Sequence, residues 1–432
     1  MNLLLSAGDI TKKIVPLLIA VLFFGLIIFI HELGHFIFAK AFGVKVNEFA
    51  LGMGPTLFKK QGKETKYALR LFPIGGFVSM EGEEEESEDK RAFCNQKPWK
   101  RMIILAAGAT FNLILGFIVC IFLVGSEEYV GTNTILQFYE GSVSSAQLKA
   151  NDKILEIDGK HIFSGYDVSF LMQRNGSGKY DFTVLRDGEK LELKDVHFAK
   201  RTSGNFGYNE KCEINSVSAK LKKVGLKDGD TITEINGEKV ETGEQLIAAI
   251  QADKDYIYNL TVKRDSESLK FEGVEFMTVT VLDFVRLGEE KNVLNVLEGA
   301  FGYALSMGRM VYLSLFDLLR GQYGLNDLAG PIGTISVITD IAQESVSTTN
   351  WSQLFMIMAM ITINIGLFNL LPVPALDGGH LFFLLIECIV RKPIPQKYES
   401  WIHAAGLVIL LGFMAIISAS DLYKWISGIG FY

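Results

Sequence analysis

His31, Glu32 and His35 occur in the order His-Glu-Leu-Gly-His. On a helix, positions i and i+4 share one face, so both imidazoles look the same way with a carboxylate beside them. Two imidazoles of this kind can hold zinc, and the neighbouring carboxylate can take a proton from an activated water. The residues around them, Ile14 to Phe38, are otherwise apolar and long enough to cross a bilayer as a helix. Ionisable groups are costly in such a segment and read by default as functional. The first expectation is a metallopeptidase that works within the membrane.

A catalytic zinc usually takes three protein ligands. The histidines outside the motif are His161, His197, His380 and His403. Another source of ligands is the stretch from Asn369 through Pro372, Pro374 and Asp377 to Gly378, Gly379 and His380. It is polar, breaks a helix and closes an apolar run. Backbone freed by proline is tolerated at membrane depth only inside protein or along a wet cavity. Asp377 is a candidate third ligand, and His380, three residues on, is its rival.

Four apolar segments must position these groups: 14–38, 102–124, 354–371 and 403–419. Each is near the ~20 residues a helix needs to cross the hydrocarbon. No small-residue cleavage site follows the first, and it carries polar ligands, so it reads as a retained span rather than a signal peptide. Lys and Arg crowd the loop from Lys40 to Arg101, and Arg391, Lys392 and Lys397 fall in a short loop. Both loops are expected on the cytoplasmic side, with both termini and the region 130–350 outside. The first and third spans then run the same way, which brings Asp377 toward His31 and His35.

Composition narrows the class. The 432 residues are 49% hydrophobic, above the norm for a soluble chain of this length. Much of the net charge of −7 comes from Glu81 to Asp89, read as a solvated loop. No basic patch is interleaved with aromatics, so nucleic acid is not an expected partner. The four cysteines, Cys94, Cys120, Cys212 and Cys388, form no Cys-x-x-Cys pair, which argues against a disulfide framework or a thiolate zinc site.

The middle region repeats itself. The segment Leu148–Ile162 matches Leu226–Val240 at an offset of 78, and Phe182–Asp187 matches Leu260–Asp265 at the same offset. Two blocks sharing one offset indicate a duplicated module, here β-rich and of about 75 residues. The pattern Leu-Lys-x-x-Asp-x-Ile-x-x-Ile-[Asp/Asn]-Gly resembles a PDZ domain. Such modules bind a peptide by edge pairing; a spacer that only limits access to the membrane is the other reading. Asn292 to Leu319 is apolar but interrupted by Glu298, Arg309 and Asp317, and reads as an amphipathic helix on the membrane surface.

Together these motifs resemble the site-2 protease family of intramembrane zinc proteases, within it the bacterial sigma-factor-regulating branch of the RseP/RasP type. The resemblance covers nearly the whole chain. It implies zinc held by His31, His35 and Asp377, with Glu32 activating water. It implies that Asn369, Pro372 and Pro374 hold unwound substrate. The segment from Phe49 through Gly52, Gly54, Gly75, Gly76 and Phe77 resembles the family's re-entrant β-hairpin, whose strand would pair with substrate. Asn112 matches the family's Gly-Pro-x-x-Asn element and is a candidate substrate contact, although Ala109 replaces the element's proline.

The expected fold is thus a polytopic α-helical membrane protein with four transmembrane helices, two extracytoplasmic PDZ-like domains and a membrane re-entrant β-hairpin. Residues 1–126 form a membrane core with the hairpin at 48–80. Residues 127–204 and 205–282 are the PDZ-like domains, 283–350 an amphipathic helical region, and 351–432 the rest of the core. The expected activity is zinc-dependent cleavage of single-pass proteins inside their transmembrane helix, after an upstream site-1-type protease has shed the outer domain. Anti-sigma factors and remnant signal peptides are the family's substrate classes, and the bacterial cytoplasmic membrane is the implied location. A silent scaffold that binds peptides through its PDZ-like domains is the alternative. A membrane-anchored thermolysin-like peptidase is a third, but it would need its His-Glu-x-x-His helix in water.

Overall fold

The computed structural model describes residues 7–83, 86–203, 205–253, 255–265, 267–321, 330–392 and 394–426. Residues 84 and 85 of the acidic stretch lie outside this set. The chain divides into two compact units. One joins residues 1–130 to 289–432, and the other is Gly131–Gly288.

The first unit opens with α1 (Ala7–Ala41), followed by β1 (Val46–Gln61), β2 (Lys66–Met80) and α2 (Pro98–Ser126). Gly34 of α1 lies so close to α2 that a β-carbon there would stand 2.6 Å from the Ala107 carbonyl oxygen. Small residues at a membrane helix contact allow this approach. The two long strands fold back on themselves. Residues Val46–Leu51 pair with Gly76–Met80 on one side, and Glu48–Leu51 with Lys66–Leu69 on the other. Among the described residues, no further strand pairs with Gly76–Met80, which therefore forms an edge of this sheet.

The second unit carries β3 (Val130–Phe138), β4 (Lys153–Ile157), β5 (Lys160–His161), α3 (Gly165–Asn175), β6 (Lys179–Arg186), β7 (Glu189–His197) and β8 (Lys200–Thr202). It continues with β9 (Phe206–Tyr208), β10 (Ile214–Val217), α4 (Ala219–Val224), β11 (Thr231–Ile235), β12 (Glu238–Lys239), α5 (Gly243–Ala252), β13 (Ile257–Arg264), β14 (Glu267–Glu275), β15 (Thr278–Thr280) and β16 (Phe284–Glu289). Strands β4, β6 and β7 are neighbours in one sheet, as β11, β13 and β14 are in another. Equivalent side chains make equivalent bonds. Arg186 grips Asp152 at 2.7 Å, and Arg264 grips Asp230 at 2.6 Å. Tyr180 Oη donates to the Met172 carbonyl, and Tyr258 Oη to that of Ile250. Both aspartate side chains are fully buried, and a buried carboxylate needs such a paired cation.

The boundary at 282 requires correction. Strand β16 lies beyond it, where a helical region was expected, and joins the sheet of the first module beside β3. Tyr139 N–H donates to the Asp283 carbonyl at 3.0 Å and Thr132 Oγ1 to that of Leu287 at 2.8 Å. An uncovered β3 would present unpaired backbone groups, and β16 satisfies them.

The chain returns to the first unit through α6 (Val293–Leu319), α7 (Pro331–Thr348), α8 (Ser352–Phe368), α9 (Asp377–Val390) and α10 (Gln396–Ile426). Among the described residues, three helical segments are long and apolar enough to cross a membrane: Ile14–Ala41, Pro98–Ser126 and Lys397–Leu422. They contain the expected spans at 14–38, 102–124 and 403–419. The expected span 354–371 is instead a 17-residue apolar helix that stops at Phe368. Pro372 and Pro374 lack an N–H and cannot continue it. Helix α8 packs closely on α2, where a β-carbon at Gly116 would stand 2.5 Å from Ile363.

Helix α6 also departs from expectation. It does not stand apart from the apolar helices but packs along α2 and α8, with Gly299 against Val124 and Gly308 against Leu367. Its small residues Gly299, Ala300 and Ser306 permit the approach. Helix α7 lies in the region 283–350 expected to be helical, whereas α9 has no counterpart in the sequence reading. Ile338 and Ala342 of α7 form a core with Ala20 and Leu354.

Candidate active site

One turn of α1 presents His31 and His35 to the same point, and the first residue of α9, Asp377, meets them there. His31 Nε2 lies 3.1 Å and His35 Nε2 3.3 Å from Asp377 Oδ2. The two imidazole nitrogens are 3.2 Å apart. A tetrahedral zinc with bonds of about 2.0–2.1 Å separates its ligands by about 3.3 Å. The three atoms therefore already stand at the spacing such an ion requires, and Asp377 Oδ2 is buried without a hydrogen-bond partner.

The outer nitrogens of both rings are held. His35, only 6% exposed, donates from Nδ1 to the Ile104 carbonyl at 2.8 Å, which leaves Nε2 with its lone pair. His31 Nδ1 lies 3.3 Å from the Asn112 side-chain amide. Asn112 is fully buried, and its Oδ1 has no partner. A half-turn of that amide gives His31 Nδ1–H an acceptor and frees His31 Nε2 as a ligand. Asn112, expected to bind substrate, is thus buried and faces His31.

Asp377 is positioned by the turn that ends α8. Asn369 caps that helix, and its carbonyl accepts the Gly378 N–H at 2.7 Å. A β-carbon at Gly378 would overlap the Leu371 carbonyl, so only glycine lets α9 start so tightly. Pro372 is exposed and Pro374 half-buried in this turn. Glu32 lies beside the sheet edge. A β-carbon at Gly76 would stand 3.1 Å from Glu32 Cγ. Gly75 adopts φ +79 against Met53, and Arg70 covers the Phe77 ring at 5.0 Å.

His380, the rival ligand, points elsewhere. Its Nδ1 lies 2.8 Å from Glu399 Oε1, and its ring stacks on His403. His161 and His197 belong to the second unit. Two residues escaped the sequence reading, Gly34 and Gly108. A β-carbon at Gly108 would overlap His35, and the only signal was a run of small residues in α2. A cavity of about 960 Å³, lined in part by Glu86, Arg101, His380, Glu387 and Glu399, reaches Ala375 in the turn before Asp377.

A family model described as peptidase family M50 matches residues 19–413. The chain belongs to peptidase family M50. It is a zinc metallopeptidase and a membrane protein. The M50 peptidase is 28% identical to the regulator of sigma-W protease RasP of Bacillus subtilis, over 94% of this chain and 97% of that one. It is 28% identical to the zinc metalloprotease RasP of Geobacillus kaustophilus, over 93% and 96%. A relative from Fusobacterium nucleatum shares 30% identity over 94% of this chain and 98% of its own. The likeness to site-2 proteases expected from the motifs is thus met across the M50 peptidase.

Proposed function

We propose that His31, His35 and Asp377 hold the zinc, and that Glu32 is the general base and acid of an endopeptidase acting on transmembrane segments. The observation that carries this reading is the ligand triangle set on an apolar helix. Bound zinc supplies a Lewis acid that acidifies water and polarises a carbonyl. Glu32 takes the proton from the attacking water and passes it to the leaving amine nitrogen. The Ile104 carbonyl and Asn112 keep both rings in the ligating tautomer. The cavity that reaches Ala375 supplies water from the side of the loop at 82–95.

A substrate helix hides its peptide bonds behind internal hydrogen bonds, and lipid offers no replacement partners. It must unwind against protein. The edge strand Gly75, Gly76 and Phe77 lies beside Glu32 and would pair with the unwound segment, with Asn369, Pro372 and Pro374 bordering it. Helix α8 serves as a short fourth span. The basic loops lie in the cytoplasm, and the second unit, two PDZ-like modules, lies outside and withholds substrates whose outer domain is intact. Substrates are single-pass proteins already shortened by another protease, such as anti-sigma factors or remnant signal peptides, in the cytoplasmic membrane of a bacterium.

The test is cleavage of a single-pass substrate in proteoliposomes. The wild type cuts within the span, and Glu32→Gln lowers the rate about 10²–10⁴-fold while keeping its zinc. Cleavage outside the span would overturn the intramembrane reading. A Glu32→Gln chain that keeps all cellular function would favour the scaffold.

A further inference from the structure

The turn that delivers Asp377 contains a strained residue. Ala375 has φ +73, a left-handed conformation that a residue with a β-carbon adopts only when its surroundings hold it there. Its N–H donates to His403 Nδ1 at 3.0 Å. His403 comes from α10, is 9% exposed, and lies flat on His380 with ring centres 3.6 Å apart and planes 9° from parallel. His380 is anchored by Glu399, also on α10. The same face of α10 carries Gly406, where a β-carbon would overlap Pro374. Helix α10 therefore meets the turn at consecutive residues, Pro374 and Ala375.

The histidines and Glu399 bring their ligand atoms within 4.8 Å of one another, a spacing a metal ion can bridge. Their chemistry argues against one. The Ala375 N–H occupies Nδ1 of His403, so the neutral ring carries its proton on Nε2 and has no lone pair there to give. The lone pairs of two parallel rings also lie in separate planes and do not converge on one ion.

We propose that His403 is a positioning residue: through the Ala375 N–H it holds the left-handed turn that sets Asp377 at the ligand triangle. His380 and Glu399 keep its ring from rotating. The inference rests on Asp377 being a zinc ligand.

Zinc affinity and turnover of the purified full-length chain test it, with zinc content followed against a graded chelator. Leu at position 403 fills the space but accepts no hydrogen bond, so His403→Leu loses about 10–100-fold in zinc affinity, with a matching fall in kcat and little change in KM. Asn places its Oδ1 where Nδ1 stood, so His403→Asn regains most of the loss although it fills the space less well. Gln reaches past the Ala375 N–H, so His403→Gln behaves as His403→Leu and replaces it if the leucine chain does not fold. Ala375→Gly, which is at ease at positive φ, restores zinc binding to the His403→Leu chain. The proposal is overturned if His403→Asn is as impaired as His403→Leu, or if His403→Leu binds zinc like the wild type. A rise in KM with zinc affinity unchanged also overturns it, because that is the mark of a turn serving substrate alone. A wild type that binds no zinc sinks the Asp377 reading instead.

Discussion

Gly108 of α2 faces His35 of α1 so closely that a β-carbon there would overlap His35 Nε2 and lie 2.8 Å from His31 Cε1. The missing side chain on one helix is thus part of the space in which the other presents its two histidines. Gly108→Ala should lower zinc affinity at least about 10²-fold, at the upper end of what ligand-orienting residues contribute. Helical content should not fall, since alanine favours a helix over glycine. Chelator competition and circular dichroism check both halves, and normal zinc binding in this variant would refute the packing argument.

With its amide turned so that Oδ1 faces the ring, Asn112 would accept from His31 Nδ1–H and orient it. Asn112→Leu should weaken zinc binding about 10–100-fold, whereas Asn112→Asp, which can still accept, should stay near the wild type. Equal losses in both variants would mean that the volume of Asn112 matters and its hydrogen bond does not.

Glu64 gives a pH dependence outside the membrane helices. Hydrogen bonds from Lys40 at 2.6 Å and from Arg91 at 2.8 Å hold its carboxyl down to about 2. A carboxyl depressed in the folded state adds stability that is complete above its ordinary value of 4.5 and fades as pH falls toward 2. The pair is partly exposed, so screening limits it to about 1 kcal/mol. Thermal unfolding in detergent should fall more steeply between those pH values for the wild type than for Glu64→Gln. Parallel curves would remove Glu64 from the account.

In the second unit, Arg264 neutralises the buried Asp230. Burial pushes this carboxyl up, but the hydrogen bonds from Arg264 outweigh it and hold the group below its usual range. Arg264→Leu should destabilise residues 205–282 by about 3–5 kcal/mol, because the carboxylate stays buried and loses its partner. Hydrogen exchange localised to that segment is the measurement. Unchanged protection would show that water reaches Asp230.

Removal of the second unit tests the gating role. Strand β16 belongs to the sheet of the first module, so the clean excision is 131–288, and a cut at 282 leaves that strand without its sheet. The shortened chain should cleave substrates that keep their outer domain. If these stay resistant, the filter lies in the membrane unit.

The long apolar helices were legible because their signal is local: length and hydropathy suffice. So was the self-match at an offset of 78, since it needs only self-comparison. Helix α9 was not legible. Its start depends on Gly378 fitting beneath the Leu371 carbonyl, a contact that no periodicity announces. Helix α6 misled for a related reason. Glu298, Arg309 and Asp317 interrupt its apolar pattern, yet Asp317 is 1% exposed within the folded unit.

By itself the sequence determined the chemistry on offer: two imidazoles and a carboxylate on one turn of an apolar helix, because 3.6 residues per turn stack His31 over His35 whatever surrounds them. It also narrowed the third ligand to Asp377 or His380. Only the tertiary structure separates them in space. The two sit on α9 three residues apart, and the turn at Ala375 aims Asp377 at α1 while His380 stacks on α10. It likewise placed Asn112 beside His31. Which atoms meet across such sequence distances depends on how closely helices approach, and here that distance is set by glycines whose purpose appears only when the helices are packed.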